Sequence, residues 1–125
     1  MTRLSKEQLL LMHEQLIDRY GGSYGVRDEG LLDSALATPF QCFSGIDFYP
    51  TPLSKAVRLC CGLVHNHPFI DGNKRIGALA LLVMLDLNHI EVNMNSKELE
   101  DAILSLAAGD ISDDSFSEWV HVHTT

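Results

Sequence analysis

Positive charge is scarce in this 125-residue sequence: nine Lys and Arg stand against 17 Asp and Glu, a net charge of −8. That deficit argues against broad nucleic-acid binding, which needs a cationic face to neutralise phosphates. Cysteine is also scarce. Cys42, Cys60 and Cys61 are odd in number and two are neighbours, so no disulfide framework is implied and a reducing compartment fits. Long apolar runs are missing as well: the longest, Ile76 to Leu85, is too short to span a bilayer. Met1 to Ser5 opens into a polar helical pattern rather than the apolar stretch of a signal peptide, so a cytoplasmic protein without a membrane segment is expected. There are no repeats and no low-complexity tracts, which predicts one domain over residues 1–125. There is no P-loop and no protein-kinase signature. The histidines of His65-Asn66-His67 and His121-Val122-His123, with Cys60 and Cys61, match no structural zinc spacing. Asp71-Gly72-Asn73 does not open an EF-hand, because Ile76 and Leu82 fall where that loop needs glycine and a bidentate acid.

What is present reads as a series of helices around an ordinary core, with 46% hydrophobic residues. Ser5 and Gln8 form a capping box; Leu9, Met12, Leu16 and Ile17 follow at helical spacing, with His13 as a partly buried helix residue, and Gly21-Gly22 stops the run. Asp28 caps a short helix through Leu31, Leu32, Ala35 and Leu36, and Pro39 closes it. Residues 39–50 concentrate Phe40, Phe43, Phe48 and Tyr49 without a helical period. They predict an ordered loop or small hairpin, more commonly a cover over the core than a contact surface. Thr51-Pro52 starts a helix that ends near His67 and carries Cys60 and Cys61 as core filler. Another helix is expected from about Asn73 to Leu87; it is apolar on every side and so is expected at the centre, with Asn88 ending it in the left-handed conformation. Ile90 to Val92 suggests a short strand, Asn95 to Gly109 a further helix, and Ser112 caps a last one before His121 and His123 in a frayed tail. The fold class is therefore all-α, a bundle of about six helices around a central buried helix.

The chemistry concentrates in His67-Pro68-Phe69-Ile70-Asp71-Gly72-Asn73-Lys74-Arg75, between two helices. Gly72 lets backbone N–H groups turn toward a ligand. Asn73, Lys74 and Arg75 lie on the first helical turn, where free N–H groups and the helix dipole favour an anion, and the two cations add charge-assisted donors. Asp71 is a carboxylate suited to Mg²⁺ shared with phosphate oxygens. An imidazole such as that of His67 can take a proton from a hydroxyl. Phe69, among polar neighbours, fits a loop anchor. A base, a metal carboxylate and a phosphate cradle within one short segment describe a phosphoryl- or nucleotidyl-transfer site. Lys55, Arg58, Lys74 and Arg75 also crowd four of the nine bases into a short stretch, which suits a small anion. From Asp86 onward nine acids face one base, Lys97, as a solvated acidic face.

The segment resembles the Fic/Doc motif H-x-F-x-[DE]-[GA]-N-x-R at every fixed position. Tyr20-Gly21-Gly22-Ser23-Tyr24-Gly25-Val26-Arg27-Asp28-Glu29-Gly30-Leu31 is similar to the N-terminal signature of the death-on-curing (Doc) branch, so the resemblance covers nearly the whole chain. It implies an all-α Fic core with a hairpin flap before the motif, and a toxin of a toxin–antitoxin pair. Such a toxin modifies a Ser or Thr hydroxyl of a target protein, in the Doc branch a translation elongation factor, using ATP or another nucleoside triphosphate and Mg²⁺. Carried over, His67 is the base, Asp71 holds Mg²⁺, Gly72 and Asn73 serve the anion hole, and Arg75 binds phosphate.

Lys74 and Ala78 depart from adenylylating Fic enzymes, which usually have glycine and a second arginine there; both departures are shared with the Doc branch, a γ-phosphate-transferring kinase. The Fic inhibitory pattern [ST]-x-x-x-E-[GN] is absent: Glu29 precedes Gly30, but Gly25 stands where Ser or Thr is required. Restraint is therefore expected from a separate antitoxin, through a helical segment laid in a groove. The alternatives are an adenylyltransferase, a metal-independent ribonuclease using Arg58 and His65, and a catalytically silent binding module.

Overall fold

Every α-helix among the described residues begins where the sequence supplies a cap or a left-handed turn. The computed structural model describes residues 1–124, and among these the elements are six α-helices and one minimal hairpin. Helix α1 (Lys6–Tyr20) starts on the Ser5–Gln8 capping box and ends at Gly21. Helix α2 (Glu29–Ala37) starts on the Asp28 carboxylate, which accepts from the Leu31 N–H at 3.0 Å. A 3₁₀ turn through Pro39 then leads to strands β1 (Cys42–Phe43) and β2 (Ile46–Asp47). Helix α3 (Pro52–Asn66) opens on a reciprocal Thr51–Ser54 box with Pro52 in its first turn. Helix α4 (Asn73–Leu87) follows the motif loop, α5 (Ser96–Ala108) starts on an Asn95–Glu98 box and ends at left-handed Gly109, and α6 (Asp113–Val122) starts on Ser112.

The core is one cluster to which all six helices contribute. Helices α3 and α4 share its centre, α3 being the more completely surrounded: it packs on α2, α4, α5 and α6 and buries every residue from Lys55 through Val64 except Arg58. They touch closely at Gly77, where a β-carbon would stand 2.8 Å from Val64 Cγ2. The flank of α4 carrying Ala78, Leu79 and Leu82 is only half-buried, because it faces a groove rather than protein. Among the described residues no helix is long and apolar enough to cross a membrane.

Four local expectations change. The aromatic 39–50 stretch forms the small hairpin expected of it but does not cover the core: Ser44 and Gly45 both take positive φ (53° and 78°), as a two-residue turn requires, and Phe43 and Ile46 are 72% and 71% exposed. Only its base is tied down, through Lys55, whose buried ammonium donates to the Tyr49 carbonyl and pairs with Asp47 at 3.3 Å. Asn88 is not the left-handed residue after α4; His89 is, with φ 61°. The Asn88 amide instead clasps the Thr2 backbone, accepting from its N–H at 2.8 Å and donating to its carbonyl at 2.7 Å. The strand expected at 90–92 is reduced to a single bridge, Val92 with Thr124. That bridge orders the C-terminal turn expected to fray: His123 Nδ1 lies 2.8 Å from the Trp119 carbonyl and the Asn93 N–H donates to the His123 carbonyl at 2.7 Å.

Cys60 and Cys61 are core residues, and burial pushes both thiols up, Cys61 to about 12 and Cys60 well above the usual thiol range. Since the thiolate is the reactive form, both stay inert across the ordinary pH range, whereas Cys42 is exposed on β1. A chromogenic disulfide should therefore titrate one thiol per chain in the native protein and three in denaturant; a second fast-reacting native thiol would contradict the packing of α3.

Candidate active site

The motif loop begins where α3 is forced to stop. The residue before a proline is barred from continuing a helix, and His67, preceding Pro68, turns left-handed (φ 49°, ψ 54°). Helix ends leave carbonyls without partners. Here Arg27 takes them: its Nε donates to the His67 carbonyl at 2.6 Å and its Nη2 to the Asn66 carbonyl at 2.9 Å. The Arg27 and Asp28 N–H groups both reach the Pro68 carbonyl (2.7 and 3.1 Å), and the Ile70 N–H reaches the Gly25 carbonyl (3.1 Å). The glycine-rich segment after α1 is thus a splint for the motif loop, and the His67 ring projects exposed at its start.

Beyond His67 the loop folds over buried groups. Phe69 is 1% exposed, the expected anchor, and its ring stacks on His13 of α1 with centroids 3.8 Å apart and planes 9° from parallel. The Asn73 amide brackets the Phe69 backbone, accepting from its N–H and donating to its carbonyl, each at 3.0 Å. The Asn73 side chain therefore closes the loop, which leaves its backbone N–H for any anion. Asp71 is exposed but its carboxylate is oriented: Oδ1 accepts from the Gly72 N–H at 2.9 Å and Oδ2 from the Ser23 N–H at 3.2 Å. Gly22 makes room for it, since a β-carbon there would stand 2.6 Å from Asp71 Oδ2. Gly72 takes the left-handed conformation (φ 77°) and opens the 15-residue α4 without a side-chain cap. An uncapped helix start with two cations in its first turn is electrostatically frustrated until an anion sits there.

That helix start forms one end of a groove of about 720 Å³ between α1, α4 and α5. Asp71, Gly72, Asn73, Lys74 and Arg75 all line it, as do Tyr20 and Ala78, whereas His67 stands outside the lining at the other end of the loop. The Arg75 guanidinium lies over the Tyr20 ring, 4.8 Å from its centroid, and Arg19 lies 5.4 Å from the same ring. The four-base cluster expected for a small anion is only half assembled. Lys55 is held at the hairpin base, and Arg58 Nη1 lies 3.4 Å from Asp113 Oδ2. His65 Nε2 lies 2.8 Å from Asp113 Oδ1, so Arg58 and His65 together tie α3 to α6, which accounts for this pair without ribonuclease chemistry.

The residues fit Mg²⁺ in one particular way. Asp71 offers oriented, exposed carboxylate oxygens, and among the described residues no group of three or more His, Cys, Asp or Glu is placed to hold a metal. Mg²⁺ accepts such a site when phosphate oxygens supply further ligands. His13, Arg27, Tyr20 and Ser23 are the functional neighbours that motif spacing alone does not single out. One signal was available for His13: with Leu9 and Ile17 it repeats every four residues along the buried stripe of α1, a polar residue at a core position.

A family model described as the Fic/DOC family matches residues 3–85, which run from just before α1 into the last turn of the motif helix. The chain belongs to the Fic/DOC family. Toxin Doc of Mycolicibacterium smegmatis is 36% identical over 100 residues, covering 78% of this chain and 77% of that protein. Protein kinase doc of Escherichia phage P1 is 28% identical over 118 residues, covering 94% of this chain and 92% of that one. Both relatives carry the Doc name, which supports the Doc branch within the Fic/DOC family. The family match also takes in the splint of residues 22–28, so sequence similarity extends over the loop and the backbone that holds it.

Proposed function

We propose that this Doc-branch protein is the toxin of a toxin–antitoxin pair, a transferase that moves the γ-phosphate of a nucleoside triphosphate to a Ser or Thr hydroxyl of a target protein, with a translation factor as the expected target. The observation that carries this reading is the uncapped α4 start, with Asp71 oriented before it and Lys74 and Arg75 in its first turn at the head of an open groove. In the reaction the target oxygen attacks the γ-phosphorus, the bridging β–γ bond breaks, and the nucleoside diphosphate leaves. His67 takes the hydroxyl proton, and its exposed place on a splinted loop suits a partner approaching from solvent. The Asn73 backbone N–H, Lys74 and Arg75 bind phosphate oxygens, left-handed Gly72 supplies the turn that presents them while its own N–H stays on Asp71 Oδ1, and Tyr20 steadies the Arg75 guanidinium. Asp71 would hold Mg²⁺, which when bound neutralises charge on the transferring phosphates.

The groove's apolar wall, with Leu82, Leu99 and Ile103, suits a helical antitoxin segment that covers the phosphate end. Induction of the protein alone should arrest growth, and His67→Ala should not. A wild-type protein that is harmless when expressed alone overturns the toxin reading.

A further inference from the structure

One buried polar group has no part in the chemistry above. His13 is 3% exposed in the middle of α1, yet it lies directly beneath the motif loop. Its Nε2 stands 2.7 Å from the Asp71 carbonyl oxygen, its ring stacks on Phe69, and a β-carbon on Gly72 would lie in ordinary contact with Nε2, at 3.6 Å. Ile17, one turn along, touches the same turn: its Cδ1 would lie 3.4 Å from a Gly72 β-carbon. Phe69, Asp71 and Gly72 thus fold around a single imidazole.

We infer that His13 is a positioning residue for the phosphate loop, acting through the Asp71–Gly72 peptide; its consequence for catalysis rests on the transfer reaction proposed above. A carbonyl oxygen only accepts, so Nε2 carries hydrogen and donates. The C=O and N–H of a trans peptide point in opposite directions. Fixing the Asp71 carbonyl down onto α1 therefore aims the Gly72 N–H up and outward, where Asp71 Oδ1 receives it at 2.9 Å. One hydrogen bond from α1 sets the peptide plane whose N–H orients the metal carboxylate, immediately before the uncapped start of α4. The ring stack sets the height of the loop, and the donor sets its rotation.

Two substitutions separate these contributions. His13→Phe keeps a flat ring against Phe69 and removes the donor; His13→Gln removes the ring and retains an N–H at a similar reach. Two readouts need no transfer activity: amide hydrogen exchange of Phe69, Ile70 and Gly72 in the free protein, and calorimetric titration with Mg²⁺ and ATP. His13→Phe should speed loop exchange at least about tenfold and weaken Mg²⁺–ATP binding about 10–100-fold, the usual effect of losing a group behind a metal ligand. His13→Gln should recover most of both. Loop exchange and binding unchanged in His13→Phe, or His13→Gln as impaired as His13→Phe, overturns the proposal. If His13→Phe does not fold, a long-range ¹H–¹⁵N spectrum of the wild type decides: a proton on Nε2 of His13 upholds the assignment, and a proton on Nδ1 alone overturns it. A wild type that transfers nothing would sink the reaction reading and leave both of these readouts valid.

Discussion

His67→Ala should reduce phosphate transfer by about 10²–10⁴-fold, the usual contribution of a general base, while leaving the helical spectrum unchanged. The ring is exposed, so its removal opens no cavity. The backbone is the complication. His67 is left-handed, and a β-branched or alanine residue is less at ease there than histidine or asparagine. His67→Asn is therefore the cleaner variant, since it keeps a residue tolerant of that conformation and still lacks the imidazole. Both variants should lose activity together, with His67→Asn the more stable. Transfer at near wild-type rate by folded His67→Asn would remove His67 from the mechanism.

Lys74→Gly should lower γ-phosphate transfer by about 10- to 100-fold, as expected for losing a charge-assisted hydrogen bond of about 1.5–3 kcal/mol. Lys74 and Ala78 lie one helical turn apart on the groove-lining side of α4. By the family resemblance, lysine stands where adenylylating Fic enzymes usually have glycine, and alanine where they have a second arginine. Removing the lysine opens room for inner phosphates, so Lys74→Gly should also gain weak transfer of the nucleotide moiety, limited by Ala78. Glycine in a first turn costs at most about 1 kcal/mol, so the variant should fold. Mass spectrometry of the modified target distinguishes phosphate from AMP. Wild-type phosphorylation by Lys74→Gly would make the residue a bystander.

Short-range chemistry was legible in the sequence and long-range pairing was not. Ser5, Asp28, Thr51, Asn95 and Ser112 all cap the helices they were expected to cap, because a cap is settled within four residues. The motif loop and its helix were legible for the same reason. Asn88 illustrates the limit: its amide was claimed by Thr2, 86 residues away, and the left-handed turn moved to His89. Lys55 and Arg58 look like partners of Lys74 and Arg75 in one dimension, yet α3 turns them toward Asp47 and Asp113. Asn73 was expected to serve an anion hole, and spacing alone does not say that its side chain is spent on the Phe69 backbone, four residues back. His13 lies 58 residues before Asp71, and no local pattern says that α1 passes under the loop.

The most direct test of the phosphate-transfer account uses the purified protein with Mg²⁺, a cell extract, and a nucleoside triphosphate labelled at either the α or the γ position. Label from the γ position should appear on a protein band, should require Mg²⁺, and should vanish with His67→Asn. Label from the α position on that band, or no protein label from either, would contradict it.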